Sequence, residues 1–200
     1  MGKGAETRER ILDQAVRLAS RDGLEGLTIG TLSSELGLSK SGLFAHFGSK
    51  DELQLQVLQA AVERFEATVI RPALTAPRGE PRLRAVFDNW LVWLHQESMP
   101  GGCPLIAAAV EFDDRPGPQR DFLVLAHRKR AEFLAKAARM AIEAGHFRPD
   151  LDCEQLAFEF EATILAYHLA HRLRRDERAL ERARAAFARL LADASSGDPS

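Results

Sequence analysis

The residues from position 39 to 47 have the types and spacing of a surface that contacts nucleic acid. Leu43, Phe44 and Phe47 recur at helical spacing and predict the inward face of a short helix. Small side chains at the start of a helix let its backbone approach the floor of a DNA major groove. The remaining positions are small or polar and are our predicted groove contacts: Ser39, Lys40, Ser41, Gly42 and His46.

Helices on both sides must position this short helix. Thr28 is a suitable N-cap for a helix with apolar residues at helical spacing, and Gly37 supplies the left-handed residue that ends it. Leu38 is expected to be buried under the turn, and Ser39 to cap the second helix. Lys50 begins the next helix. The pattern predicts a helix-turn-helix followed directly by a further helix.

Thr28 and Lys50 stand at helix N-termini, where anions bind favourably, so both are predicted to contact DNA phosphates. Thr28 has a second interpretation. As a plain N-cap it would stabilise its helix by about 1 kcal/mol without any role in DNA binding. Both interpretations stay open at this point.

These residues resemble the TetR family of bacterial transcription regulators. The stretch GLSKSGLFAHFGSKDEL, residues 37–53, is similar to the family's turn, recognition helix and start of helix four, and Thr7, Ile11, Ala15 and Leu18 match the stripe of its first helix. The resemblance implies a homodimer that occupies a palindromic operator in double-stranded DNA and is released by a small-molecule effector. Phe44 replaces a common Tyr, so that phosphate contact is lost, and Ala45 leaves base reading to fewer side chains.

Composition limits how such a chain can bind DNA. Its 200 residues are 46% hydrophobic and 28% charged, which is enough for a substantial core. The net charge is −2, and residues 1–50 carry seven Lys or Arg against six Asp or Glu. Affinity for DNA must therefore come from the placement of charges rather than from their excess.

Several features predict a cytoplasmic protein without a membrane partner. The N-terminus lacks the apolar region of a secretory signal, and no apolar run approaches the roughly 20 residues that span a bilayer. Cys103 and Cys153 lie far apart and form no CxxC pair, which fits a reducing compartment.

Helical periodicity predicts an all-α fold of about nine helices, with breaks at Gly23, Pro72, Pro100 and Gly145. We expect a helix-turn-helix DNA-binding domain over residues 1–50 and a ligand-binding and dimerisation domain over 51–194. Residues 195–200 are expected to form a disordered tail.

The resemblance also implies a ligand pocket between helices of the C-terminal domain, where the chain concentrates aromatic residues. A mainly apolar or aromatic effector is the expectation, and ordinary core packing of these aromatics is the alternative. The predicted ligand contacts are Phe65, Phe87, Trp90, Trp93, Glu111, Phe112, Tyr167 and His168.

Because the family pairs two late helices from each subunit, the helices predicted over 119–144 and 153–173 are our candidates for the dimer seam. Periodicity does not separate the seam from the core behind it. The candidate residues are Phe133, Leu134, Ala137, Ala141, Phe158, Ala162, Leu165 and Leu169.

Other functions have less support. Cys103 near a helix N-terminus suits either a redox sensor or a buried thiol. His168 and His171 have no metal-binding partner at a matching spacing, and no catalytic motif such as GxSxG or HExxH is present in context. We therefore predict no metal, no cofactor and no enzymatic activity. A DNA-binding regulator without a ligand and, more remotely, a helical enzyme are the alternatives to a ligand-responsive repressor.

Overall fold

The computed structural model describes residues 3–195, and over this range the chain is helical with no β-strand. Nine of the described helices have eight residues or more, which confirms the all-α prediction and its helix count. A π-helical turn, Glu66–Ile70, and the three-residue helix α5, Arg71–Ala73, follow the helix that ends at Phe65. The longer helices are α1 Lys3–Gly26, α2 Ile29–Leu36, α3 Lys40–Phe47, α4 Lys50–Phe65, α6 Glu80–Leu94, α7 Pro104–Phe112, α8 Pro118–Glu143, α9 Cys153–Arg172 and α10 Ala179–Ser195.

The predicted caps form the ends of α2 and α3. Thr28 Oγ1 accepts a hydrogen bond from the Thr31 amide at 3.0 Å, and the Thr31 hydroxyl accepts one from the Thr28 amide at 2.9 Å. This reciprocal pair is a capping box. Gly37 ends α2 with φ 64°, and Ser39 Oγ accepts from the Gly42 amide at 3.1 Å. Local sequence is therefore sufficient to begin both helices and to end α2.

The chain packs as two compact units. Of the described residues, the first unit contains 3–65 together with Leu94–Ala126, and the second contains Glu66–Trp93 together with 127–195. In the first unit α1 packs on α2, α4 and α7. The functional boundary predicted after residue 50 stays a prediction. The packing units do not divide the chain there, because α1 to α4 pack in one unit with α7.

Three phenylalanines join α6, α9 and α10 in the core of the second unit. The Phe87 and Phe187 rings stack with centroids 4.0 Å apart, and Phe160 meets both edge-on at 5.8 and 5.2 Å. All three side chains are buried. Such aromatic pairs stabilise a core by about 0.5–1.5 kcal/mol each beyond their buried area. This cluster fixes how α9 and α10 lie against α6.

Two predicted burials are wrong. Phe44 is 57% exposed and Leu38 is 41% exposed. Leu43 and Phe47 are four residues apart and share the buried face of α3, whereas Phe44 lies about 100° from Leu43 and about 60° from Phe47 around the helix. Leu38 closes the turn through its amide, which donates to the Ser33 carbonyl at 3.1 Å, rather than by burying its side chain.

The predicted disordered tail falls mostly outside the described residues. Ser195 is the last residue of α10, and the disordered tail over residues 195–200 stays a prediction. The Ser195 hydroxyl donates to the Leu191 carbonyl one turn earlier, which continues the helix. Residues 196–200 lie outside the part of the chain that the structure describes.

Candidate nucleic-acid interface

All of the predicted groove contacts, on α3 and at its N-cap Ser39, are exposed. Only Leu43 and Phe47 of this helix are buried, and they hold it against the rest of the first unit. A Cβ at Gly42 would lie 3.1 Å from Ser39 Oγ, so the absence of a side chain there leaves room for the cap. The exposed residues are Ser39, Lys40, Ser41, Gly42, Phe44, Ala45 and His46.

Lys40 lies beside the first turn of α2. Its Cε is 3.8 Å and its Nζ 4.0 Å from the position that a Cβ on Gly30 would take, and Thr28 Oγ1 is 3.5 Å from the same point. The ammonium of Lys40 and the N-terminus of α2 are therefore neighbours. Thr28 is exposed in part while its hydroxyl serves the cap, so the structure is consistent with both of its predicted roles.

Lys50 has a partner that the sequence did not indicate. Its Nζ donates to the Glu25 carbonyl at 3.2 Å and lies 3.5 Å from the Glu25 carboxylate. Arg115 also pairs with Glu25, at 3.3 Å. The predicted phosphate-contacting lysine thus rests in an exposed ion-pair cluster at the edge of the helix-turn-helix.

A second ion-pair cluster lies at the end of α1. Arg21 contacts Asp22 at 2.9 Å and Glu35 at 3.1 Å. The hydrogen bond to Asp22, and to a smaller extent the one to Glu35, raises the pKa of Arg21. The hydrogen bond from Arg21 lowers the pKa of Asp22. Several charges of this region are therefore neutralised locally, in keeping with its small net charge.

The predicted ligand residues are divided between the two packing units. Phe65, Glu111 and Phe112 belong to the first unit, whereas Phe87, Trp90, Trp93, Tyr167 and His168 belong to the second. Phe87 contributes to the stacked phenylalanine core described above. These assignments show where each side chain lies, and ligand contact by this set stays a prediction.

Trp90 has a charged neighbour that the sequence analysis missed. The Arg130 guanidinium carbon lies 5.0 Å from the centre of the Trp90 ring, and Arg130 Nε donates to Glu161 at 2.6 Å. Arg130 also lies 2.8 Å from His127 Nδ1. Nothing in the local pattern around position 130 distinguishes this arginine from a solvent-facing one.

Tyr167 and His168 lie in a desolvated part of α9. The Tyr167 ring stacks on His171 at 5.6 Å, and burial raises the pKa of the Tyr167 hydroxyl. Burial lowers the pKa of His168, and the charges of Arg172 and His171 lower it further to a smaller extent. Both side chains are therefore neutral over a wider pH range than they would be in water.

Glu111 has two backbone partners in α1. Its Oε2 accepts from the Leu24 amide at 2.9 Å and from the Glu25 amide at 3.0 Å, and its Oε1 lies 3.2 Å from the Leu24 amide. Glu111, which was predicted to contact a ligand, thus accepts hydrogen bonds from the backbone of the chain itself. These contacts join residues more than 80 positions apart, which no local pattern could indicate.

Helices α9 and α10 enclose a groove of about 620 Å³ with an alanine-rich lining that includes Ala162, Ala166 and Ala183. Large apolar side chains are exposed along α9 at Phe158, Leu165 and Leu169, and at Leu173 directly after it. By contrast, the seam candidates Leu134, Ala137 and Ala141 of α8 are buried. The exposed part of the predicted seam therefore lies on α9, with α10 beside it.

Other chemistry has little support in the described residues. Cys103 precedes α7 and is 3% exposed. No three His, Cys, Asp or Glu side chains within residues 3–195 group closely enough to hold a metal ion. Over the same range, no helix has the length and apolar character needed to cross a membrane.

Comparison with known proteins identifies two family matches. Residues 11–57 match the family described as bacterial regulatory proteins, tetR family. Residues 79–187 match the tetracyclin repressor-like C-terminal domain. The first match contains the complete α2, α3 and the start of α4, and the second extends from α6 into α10.

Individual relatives agree with these matches. The chain is 34% identical over 67 residues to the transcriptional repressor AcnR of Corynebacterium efficiens, covering 34% of this chain and 36% of that protein. It is 30% identical over 81 residues to the nicotine-responsive repressor HdnoR of Paenarthrobacter nicotinovorans, covering 40% of each. The chain thus spans about two fifths or less of these relatives. A solved TetR regulator from Chloroflexus aurantiacus J-10-FL is 28% identical, with a TM-score of 0.81 over 96% of both chains.

Proposed function

Because this chain belongs to the TetR family of bacterial regulatory proteins, we propose that it is a transcriptional repressor that binds a palindromic DNA operator as a homodimer. A small, mainly apolar or aromatic ligand releases it. The observation that carries the proposal is the surface of α3, where small and polar residues are exposed and only Leu43 and Phe47 are buried. The family consists of regulators rather than enzymes, and the proposal needs no catalytic residue.

DNA recognition follows from the shape of this surface. Ser39, Ser41 and Gly42 keep the first turn of α3 narrow, so that its backbone can approach the base edges. Phe44, which lacks a hydroxyl, offers an exposed ring for apolar contact with a thymine methyl group. Lys50, and Lys40 beside the α2 N-terminus, suit phosphate contacts, which position a protein without reading sequence.

A selection from random duplex DNA tests this proposal directly. The purified protein should enrich a near-palindromic motif, because one short helix reads too few base pairs for useful specificity. The half-site centres should lie about 34–36 Å apart, or a multiple of that distance. Enrichment of no motif, or of a motif without two-fold symmetry, would contradict the proposal.

The exposed surfaces of α9 and α10 support the proposal of a dimer. Leu165, Leu169 and Leu173 form an exposed apolar row at helical spacing, and the alanine-rich groove next to them leaves room for a partner helix. Pairing α9 and α10 of two subunits would produce a four-helix interface that covers this row. The buried α8 candidates then belong to the core behind the interface.

Charge placed in this row should separate the subunits. Leu169→Glu introduces a carboxylate at a 53% exposed position of α9, and Val92→Glu is its matched control on α6, where the valine is 61% exposed. Light scattering at micromolar concentration should report a dimer for the parent and the control and a monomer for Leu169→Glu. A dimeric Leu169→Glu variant would exclude this surface as the interface.

The ligand is proposed from chemistry rather than from a defined cavity. Buried tryptophans on α6 and the nicotine-responsive relative both support a small aromatic compound. A ligand that prefers the DNA-incompetent dimer by about 1.4 kcal/mol lowers operator affinity tenfold, and saturating operator weakens ligand binding equally.

Fluorescence titration with nicotine and related aromatic amines, with and without the selected duplex, tests this linkage. Trp93→Phe should reduce the signal. Release of DNA by peroxide alone would favour a Cys103 sensor, whereas DNA binding that no compound alters would favour a regulator without a ligand.

A further inference from the structure

The end of α1 contains a backbone break that the carboxylate of Glu111 fills. Gly23 has φ 80° and ψ 166° and interrupts the helix, and residues 24–26 form a new helical turn after it. The amides of Leu24 and Glu25 donate to Glu111 at 2.9 and 3.0 Å. A carboxylate at the start of a helical turn makes charge-assisted hydrogen bonds, which are about twice as strong as neutral ones.

Gly23 and Glu111 depend on each other sterically. A Cβ at residue 23 would lie 2.2 Å from Glu111 Oε1, and the positive φ of this residue disfavours any residue other than glycine. The carboxylate therefore occupies the space that a side chain at residue 23 would need. This fit brings α7 directly against the backbone that leads to the helix-turn-helix.

The carbonyl side of the same segment is held by α4. Gln54 Nε2 donates to the Leu24 carbonyl at 2.8 Å, and Lys50 Nζ donates to the Glu25 carbonyl at 3.2 Å. Gln54 is buried and in turn accepts from the buried Gln119 of α8 at 3.3 Å. Residues 24 and 25 are thus fixed on both sides, by α7 through their amides and by α4 through their carbonyls.

This segment is two residues from the helix-turn-helix. Leu27 is buried and its amide bonds back to Leu24, and Thr28 then caps α2. A shift of residues 24 and 25 therefore also moves the start of α2. The turn after Gly37 carries it on to α3.

We propose that Glu111 is a positioning residue for DNA binding: it holds residues 24 and 25 so that α2 and α3 present a surface that fits the operator. This inference rests on the proposed function as a DNA-binding regulator. Glu111 itself makes no DNA contact in this scheme. It acts through the backbone of α1, so its loss changes affinity without changing which bases are read.

The test compares three variants on the duplex that the parent protein selects. Glu111→Ala removes both acceptors, Glu111→Gln keeps one, and Asp114→Ala removes the same charge close to the same end of α7 at an exposed site. Affinity is measured by fluorescence anisotropy at one salt concentration. Temperature is kept well below each melting point, so that every variant is fully folded.

We expect Glu111→Ala to bind about tenfold more weakly than Asp114→Ala, and Glu111→Gln to lie between them. The motif that each variant selects should be unchanged. Hydrogen exchange at the Leu24 and Glu25 amides should be faster in Glu111→Ala. If this variant does not fold, a loss of affinity in folded Glu111→Gln together with faster exchange supports the proposal.

Faster exchange with affinity within about twofold of Asp114→Ala would overturn the proposal, since Glu111 would then only stabilise the fold. An altered motif would also overturn it, by giving Glu111 an effect on base reading. If the parent protein selects no DNA, the proposed function fails and this inference fails with it. If the parent protein selects DNA, a failure of the Glu111 variants counts against this inference alone and not against the proposed function.

Discussion

Lys50 and Glu25 are expected to have opposite effects on DNA affinity. Lys50 Nζ lies 3.5 Å from the Glu25 carboxylate, and both side chains are partly exposed. Exposed ion pairs of this kind stabilise a protein by no more than about 1 kcal/mol, so a DNA phosphate can replace Glu25 at small cost. We predict that Lys50→Ala weakens DNA binding and that Glu25→Gln strengthens it.

The size of the Lys50 effect follows from counterion release. Each phosphate contact contributes about 0.9 to the slope of log affinity against log salt, and a homodimer has two Lys50 side chains, so the slope should decrease by about 1.8. Raising salt from about 50 to 200 mM should then weaken the parent about 12-fold more than Lys50→Ala. Because the homodimer has two such pairs of up to about 1 kcal/mol each, Glu25→Gln should bind up to about 27-fold more tightly.

Fluorescence anisotropy with the selected duplex and a scrambled duplex at several salt concentrations measures both effects. Lys50→Ala should lose affinity equally on the two duplexes, because phosphate contacts carry no sequence information. Lys136→Ala, which removes an exposed charge from α8, is the control and should leave the slope unchanged. An unchanged slope in Lys50→Ala, or a loss confined to the selected duplex, would refute the reasoning.

Three further predictions concern stability. Phe187→Ala should destabilise the protein by about 3–5 kcal/mol in urea unfolding, because it empties the buried stack against Phe87; a loss below about 1 kcal/mol would contradict the role given to this core. Thr28→Ala should cost about 1 kcal/mol without DNA present, since it removes the capping box, and an unchanged midpoint would leave only its phosphate role. The pKa of His168 lies below 6.5, so the native state binds fewer protons than the unfolded chain and stability should fall as the pH decreases below 6.5. His168→Gln should flatten urea midpoints between about pH 5.5 and 7.5, and a variant as pH-sensitive as the parent would assign the dependence to other groups.

The sequence by itself determined the features that depend on neighbours within a few residues. Thr28, Gly37 and Ser39 begin and end helices through hydrogen bonds and backbone angles that span three or four positions. Helical periodicity likewise sufficed for the all-α fold and for the small, polar surface of α3. Such interactions join residues only a few positions apart, so local reasoning can find them.

Only the tertiary structure decided which surfaces are covered and which charges meet. Periodicity did not separate the buried α8 residues from the exposed leucines of α9, because both have the same apolar spacing. It also misplaced Phe44, whose exposure depends on the width of the face that α3 packs against. Lys50 meets Glu25 across 25 positions and Glu111 meets Leu24 across 87. Contacts at such separations arise from the packing of whole helices, and the residues at either end carry no local mark of their partner.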